Sequence, residues 1–177
     1  TLRALVDVAG TKQQIRLQTD GGDIAVVGSS TVEVADSATA DPLARVDILS
    51  RGGDITIDSS TVSVPKGELL VDANDPALKG KGNVTLNAAN LSASTLMKLY
   101  GEGNKGGVRF VGNTTLNSPN TTIAGKSVEI SKGVSVNVTG AAAKVFADNA
   151  EYGKANRGNF TGSGAEPVQP YANRPGF

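Results

Sequence analysis

Residues 53–64 read Gly-Asp-Ile-Thr-Ile-Asp-Ser-Ser-Thr-Val-Ser-Val, and residues 22–34 read Gly-Asp-Ile-Ala-Val-Val-Gly-Ser-Ser-Thr-Val-Glu-Val. Weaker copies of this unit begin at Gly82, Gly107 and Gly133, so the opening glycines lie 31, 29, 25 and 26 residues apart. Recurrence at intervals of about 20 to 50 residues is typical of solenoids, whose units bury an apolar face only by stacking on one another. The repeat therefore predicts a stacked architecture.

Apolar and small polar residues alternate within each unit. Ile55 and Ile57 fall on one face of an extended chain and Thr56 falls on the other, which predicts half-buried strands. Parallel strands that each have a packed inside and a solvated outside are typical of a β-helix. We therefore predict an all-β fold, a right-handed parallel β-helix (β-solenoid) with three short strands per turn and an extended, non-repetitive C-terminal arm. A β-sandwich is the main alternative.

Two local features refine this prediction. The glycine pairs at 21–22, 52–53 and 106–107, together with Gly133, occupy expected corners, where a positive φ favours glycine. Residues 91–100 break the repeat, and their pattern fits either a short helix or an irregular strand.

Composition excludes several classes of protein. Lys plus Arg and Asp plus Glu both number 17, so the chain lacks the basic excess of an electrostatic nucleic-acid binder. No apolar run approaches the roughly 20 residues of a membrane-spanning helix. Cysteine and histidine are absent, which removes disulfides, thiolate metal sites and the commonest general base. The abundance of Gly, Asn, Ser and Thr is typical of a secreted bacterial surface protein.

Three segments follow from the pattern. Residues 1–20 form an N-terminal strand or docking segment, residues 21–155 the β-helix, and residues 156–177 an extended Gly/Pro-rich arm. The arm contains Pro167, Pro170 and Pro175, which donate no backbone hydrogen bond. It is either a disordered end or linker, or an arm docked on its own solenoid or on a neighbouring subunit.

The sequence shows no convincing cap at either end of the solenoid. Open terminal rungs present unpaired backbone groups, and stacking between subunits would satisfy both ends at once. Such a head-to-tail contact propagates as a filament unless it closes a ring. The subunit-docking candidates are apolar or aromatic residues of the two terminal segments, namely Leu2, Leu5, Val8, Phe160, Tyr171 and Phe177.

The sequence offers few candidate catalytic residues. Some β-helix enzymes cleave acidic polysaccharides with outer-face carboxylates and basic groups, so Arg51, Asp54 and Asp58 are the candidates for such a lyase or hydrolase. Asp54 recurs as Asp23 at the same repeat position, as a turn residue does, and this favours a structural role. We predict no catalytic residue and no enzyme activity.

Ligand sites are also weakly indicated. Asp72 and Asp75 carry oxygen ligands at short spacing and make calcium a minor alternative, but we predict no metal and no cofactor. An ice-binding face would need a regular Thr-x-Thr ladder. Thr56, Thr85 and Thr115 are single and are not matched by a second column.

Residues 53–64, followed by Asn83-Val-Thr-Leu-Asn-Ala-Ala-Asn-Leu-Ser, resemble filamentous haemagglutinin-type β-repeats. The residues from Tyr100-Gly-Glu-Gly to Ala143-Lys-Val-Phe-Ala-Asp-Asn resemble segments near the ends of secreted bacterial β-strand-repeat proteins. This resemblance, over about residues 20 to 150, implies an exported right-handed β-helix that acts in surface attachment or as matrix material.

The sequence therefore predicts a non-catalytic structural protein. We expect a secreted subunit that assembles head-to-tail with copies of itself into an extracellular filament or surface matrix. The alternative is an adhesin fragment that binds cell-surface glycans on one solenoid face, and a polysaccharide lyase or hydrolase is a third hypothesis.

Overall fold

The computed structural model describes residues 2–7, 14–34, 44–73, 82–101 and 107–176, and of residues 2–7 it describes the backbone only. The strands are β1 (Leu2–Asp7), β2 (Gln14–Thr19), β3 (Ile24–Val26), β4 (Thr31–Glu33), β5 (Ala44–Ser50), β6 (Ile55–Asp58), β7 (Thr61–Val64), β8 (Gly67–Asp72), β9 (Val84–Asn87), β10 (Asn90–Ala93), β11 (Leu96–Gly101), β12 (Gly107–Phe110), β13 (Thr114–Ser118), β14 (Thr121–Ile130), β15 (Ser135–Gly140), β16 (Lys144–Glu151) and β17 (Asn159–Gly162). A one-turn 3₁₀ helix (Tyr171–Asn173) follows.

These strands stack in three columns. The first column contains β2, β5, β8, β11 and residues 121–125 of β14, paired in that order. The second contains β3, β6, β9, β12 and residues 127–130 of β14. The third contains β4, β7, β10, β13, β15 and β17. β16 pairs with both halves of β14 and extends the first two columns.

We call one pass through the columns a rung. Rung 1 is β2–β4, rung 2 is β5–β7, rung 3 is β8–β10, rung 4 is β11–β13, rung 5 is β14–β15 and rung 6 is β16–β17. Every strand pair of the described residues is parallel except β1 with β2. The chain is therefore all-β with parallel sheets and fits a parallel β-helix or solenoid-like fold. Three strands per rung are confirmed for rungs 1 to 4, whereas in rungs 5 and 6 one continuous strand serves the first two columns. The parallel pairing shows that the β-sandwich alternative is wrong.

The alternation read from the sequence decides which side chains form the core. Ile55 and Ile57 of the second column, and Val62 and Val64 of the third, are fully buried, whereas Thr56 between the isoleucines is half-buried on the outside. Burying one such aliphatic side chain contributes roughly 1.5–3 kcal/mol. The core runs continuously from rung 1 to rung 6. Residues 91–100 form strands of rungs 3 and 4, so the strand interpretation is the one confirmed.

The fifth copy of the repeat lies in a different column from the other four. Gly22, Gly53 and Gly82 precede second-column strands and Gly107 is the first residue of one, with Ser127 as its pairing partner in rung 5. Gly133 instead precedes the third-column strand β15. The match at Gly133 was therefore a coincidence of composition.

The predicted reason for the corner glycines was also wrong for most of them. Gly133 has a positive φ of 78°, but Gly22, Gly53 and Gly107 do not. What Gly53 requires is space, because a Cβ there would overlap the carbonyl group of Gly22 in the rung below. The corners between the second and third columns do adopt left-handed conformations, at Gly28 and Gly133 and also at the non-glycine residues Ser29, Ser59 and Ala88, whose φ angles are 60°, 51° and 48°.

Both ends of the first column are covered. β1 pairs antiparallel with β2 in rung 1. At the other end, Ala143 donates its N–H to the carbonyl of Gly164 at 2.9 Å, and Gln169 donates its N–H to the carbonyl of Val145 at 3.0 Å. The expectation that no cap exists at either end is therefore wrong for this column.

The glycine at the start of β8 provides a test of the stacking. A Cβ on Gly67 would overlap the carbonyl group of Ala44 in rung 2, so Gly67→Ala forces two rungs apart. We expect a loss of about 1–3 kcal/mol in the free energy of unfolding, measured in urea. Gly21→Ala is the matched control, since its Cβ would meet no atom within 4 Å. Equal stability of the two variants would contradict the observed register.

Candidate functional site

The six predicted docking residues have different surroundings. Leu2 and Leu5 lie in β1, the strand that pairs antiparallel with β2. Val8 and Phe177 lie outside the described residues. Phe160 and Tyr171 are buried by their own chain, at 7% and 4% exposure. The structure therefore shows these two rings docked on their own solenoid, and a role of any of the six between subunits stays a prediction.

Phe160 closes the core at the C-terminal end. It lies in β17, which pairs with β15 and so belongs to the third column, although its residues fall in the range predicted as the arm. Its ring meets the edge of Phe110 at a centroid distance of 6.0 Å and that of Tyr152 at 4.8 Å. Edge-to-face pairs of this kind add about 0.5–1.5 kcal/mol beyond burial. Burial raises the pKa of the Tyr152 hydroxyl.

The segment after β17 turns back along the outer face of the first column. Tyr171 sits in a second apolar cluster with Tyr100, Ala124 and Phe146, outside the main core. The guanidinium of Arg174 stacks on the Tyr171 ring, 3.9 Å from its centroid. We call residues 163–176 the strap, because they run from rung 6 back to rung 4.

Two hydrogen bonds hold the far end of the strap. The Tyr100 hydroxyl donates to the carbonyl of Pro175 at 2.6 Å, and the Lys98 ammonium donates to the carbonyl of Gly176 at 3.0 Å. Burial raises the pKa of Tyr100 to about 12, so this hydroxyl keeps its donor proton at ordinary pH. The strap is thus a docked segment over residues 163–176.

Electrostatics fix the near end of the strap. Asp148 accepts a hydrogen bond from Lys126 at 3.0 Å and another from the backbone N–H of Tyr171 at 3.2 Å. The Lys126 hydrogen bond is the main reason that the pKa of Asp148 lies below its ordinary value. Both interactions favour the ionised carboxylate.

Asp47 is the one fully buried charged residue of the described part of the chain. It forms a short ion pair with Arg45 of its own strand and a 3.1 Å pair with Arg16 of rung 1, and Gln14 donates to it at 2.8 Å. An unpaired buried carboxylate would be strongly destabilising. Here two guanidinium groups neutralise it, so Asp47 ties rung 1 to rung 2.

The carboxylates weighed for catalysis link successive rungs. Asp23 Oδ1 accepts the backbone N–H of Asp54 at 2.8 Å, and Asp54 Oδ1 accepts that of Asn83 at 2.7 Å. Asn83 Oδ1 in turn accepts the N–H of Gly107 at 2.9 Å. Asp58 accepts a hydrogen bond from Asn87, and Arg51 lies 3.8 Å from Asp20. These contacts account for the repetition of Asp at this position by backbone hydrogen bonding.

A small open groove is lined by residues of β5, β8 and β11. Its volume is about 220 Å³, and its lining residues are Arg45, Glu68, Leu69, Leu70, Leu96 and Lys98. Small-molecule sites usually occupy about 300–1,000 Å³, so this groove is smaller than a usual small-molecule site.

Among the described residues no three acidic, histidine or cysteine side chains come together as a metal site. Asp75 of the calcium alternative lies outside the described residues.

The outer face of the third column carries two rows of residues that sequence reasoning missed. The pairing register aligns the first row as Thr31, Thr61, Asn90, Thr115, Asn137 and Thr161. It aligns the second row, two residues further along each strand, as Glu33, Ser63, Ser92, Asn117 and Thr139.

The prediction that Thr56, Thr85 and Thr115 lack a matching column is therefore corrected for Thr115. Thr56 and Thr85 pair with each other in the second column, whereas Thr115 belongs to the third. Only the strand register reveals the rows, because their sequence spacing varies from rung to rung.

Comparison with known proteins gives no match: no family model fits the chain, and neither a curated protein nor a solved structure is significantly similar to it. The described residues also contain no helix with the length and apolar character needed to cross a membrane.

Truncating Phe160 tests whether the last rung belongs to the core. Phe160→Ala removes a buried ring in contact with Phe110 and Tyr152, and we expect it to lower the free energy of unfolding by about 3 kcal/mol. Val168→Ala, at a residue 40% exposed on the strap, should change it by less than about 0.5 kcal/mol. A negligible effect of Phe160→Ala in urea unfolding would contradict the aromatic closure.

The ionised form of Asp148 should stabilise the strap at neutral pH. Because its folded pKa lies below the ordinary 3.8, its contribution is complete above about pH 3.8 and is lost as the pH falls through the folded value. Asp148→Asn should therefore destabilise the protein at pH 7, and by progressively less as the pH falls below 3.8 toward 2, as measured by urea unfolding. In a Lys126→Met background the pH-dependent difference should shrink. A difference that persists unchanged at pH 2 would contradict this linkage.

Proposed function

We propose that the protein is a non-catalytic structural subunit, exported from the cell, that assembles head-to-tail through the open ends of its second and third columns. This proposal rests on the location of the apolar core residues that are only partly buried. The apolar residues that pack against the core but stay partly exposed lie mainly in the terminal rungs, and two of them are outside the capped first column: Val32 of the third column in rung 1 and Tyr152 at the end of β16 in rung 6. Apolar side chains at the two ends of the stack are therefore left partly exposed to solvent.

Strand edges support the same contact. Among the described residues, β3 and β4 pair on one side only, with β6 and β7. At the opposite end β17 pairs only with β15. A second copy stacked in the same direction would continue both columns with parallel strands, and such a heterologous contact repeats without limit. Zero net charge leaves little long-range repulsion between copies.

The caps on the first column restrict this contact. β1 and the strap cover that column at its two ends, and Pro167 and Pro170 deprive the strap of two backbone donors. The junction therefore uses two columns out of three. We further propose that the columns wind as a right-handed β-helix, because crossovers between parallel strands are nearly always right-handed.

The proposed absence of catalysis rests on the contacts of the candidate groups. Asp54 and Asp58 serve hydrogen bonds between rungs, and Asp47 is neutralised by two arginines. An adhesin is the second candidate function. It is favoured by the nearly uncharged outer face of the third column. Likeness to filamentous haemagglutinin-type proteins, and with it an extracellular location, belongs to the same proposal.

Assembly can be tested with one charge at the N-terminal end. Val32→Lys places an ammonium among the partly exposed core residues of rung 1, where a free end lets it reach water but a stacked copy would bury it. We expect the wild-type chain to form regular fibres in negative-stain electron microscopy and Val32→Lys to remain monomeric. Thr56→Lys, on the outer face of rung 2, is the matched control and should form fibres. A wild-type chain that stays monomeric at every concentration would refute assembly.

A further inference from the structure

The outer face of the third column differs from the rest of the surface in charge. Of the eleven positions in its two rows only Glu33, at the N-terminal end, is charged. The outer positions of the first column carry Arg45, Glu68 and Lys98, and Glu129 lies on the second. Charged groups thus occur at outer positions of the first column and of the later rungs of the second, whereas the two rows of the third column contain Glu33 alone.

The rows form a regular array. Neighbouring strands are about 4.8 Å apart, and alternate residues of one strand about 6.7 Å apart, so hydroxyl and amide groups recur on a fixed two-dimensional spacing. None of the eleven side chains is buried. Ser92 donates to Ser63 at 3.0 Å within the second row. Each Thr, Ser or Asn offers both donors and acceptors to a ligand.

These features identify the chemistry of a partner. We propose that this face binds an extended, uncharged polysaccharide laid along the stacking direction. A neutral, hydroxyl-rich chain matches a face of neutral donors and acceptors, which are less costly to desolvate than charged groups. Each contact is weak, and repetition over six rungs supplies the affinity.

The same features disfavour a protein partner. Protein interfaces are typically centred on aromatic residues, methionine or arginine, and the two rows contain none of these. The large apolar residues exposed on the described surface are Val27, Val111 and Val168, and none belongs to the rows. An acidic polysaccharide is disfavoured as well, because the rows contain no cation.

The test is co-sedimentation with insoluble polysaccharides. Cellulose and chitin are the neutral probes, and pectate gel is the acidic probe. We expect the wild-type chain to sediment with at least one neutral polysaccharide. The double variant Thr115→Lys/Asn117→Lys places two charges at the centre of the face and should bind at least tenfold more weakly. Thermal unfolding of each variant checks that the fold is kept.

The matched control carries the same two charges on another face. Thr56→Lys/Thr85→Lys changes two outward threonines of the second column and should bind like the wild type. The proposal is overturned if the wild type binds neither neutral polysaccharide, if it binds only pectate, or if both double variants lose binding equally. Wild-type thermal hysteresis in ice that Thr115→Lys/Asn117→Lys abolishes, without polysaccharide binding, would assign the face to ice instead.

This inference does not depend on filament formation. The Val32→Lys chain keeps the rows from rung 2 to rung 6 and should retain binding per chain. If Val32→Lys forms no fibres but still sediments with polysaccharide, assembly and polysaccharide binding are separate properties. If the wild-type chain forms fibres but does not sediment with a neutral polysaccharide, the binding proposal fails and the assembly proposal stands.

Discussion

The structure depends on the register between rungs. A side chain that points inward in one rung must lie directly over an inward side chain of the next, because a shift of one residue would turn every apolar group of that strand outward. In the second column Ile24, Ile55, Val84, Val108 and Val128 satisfy this requirement. The number of residues per rung differs, but the paired strands keep their register, so every rung contributes to the same core.

The register also organises the outside of the molecule. Once inward residues are aligned, outward residues are aligned as well, and chemistry that is scattered along the sequence becomes continuous. The ladder from Asp23 through Asp54 and Asn83 to Gly107 arises in this way, with each side-chain oxygen accepting the N–H of the next rung. The two rows of the third column, in which Glu33 is the one charged residue, arise in the same way. A single constraint thus produces the core, the corner ladder and the proposed binding face.

The local and periodic features of the fold are predictable from the sequence. Alternation around Ile55 and Ile57 identified the strands and their buried face, and the repeat identified the stacking. The register of the third column was not predictable, because Thr61, Asn90 and Thr115 pair although they are unevenly spaced. The burial of Asp47 carries no sequence signal, since Arg16 is 31 residues away. The docking of the strap was not predictable either, because Tyr171 packs against Tyr100 and Phe146, which come from separate rungs.

The aromatic residues of the core lie toward the C-terminal end, so the two ends of the stack differ in how they are stabilised. Phe110, Tyr152 and Phe160 fasten the last rungs from inside, and Glu129 joins Arg109 to Arg157 outside. Rung 1 has only aliphatic side chains over the core. In a stack where each rung is stabilised mainly by its neighbours, disorder should enter at the β3–β4 end and advance one rung at a time. Under mechanical load such a chain would peel from its N-terminal side while its C-terminal side held.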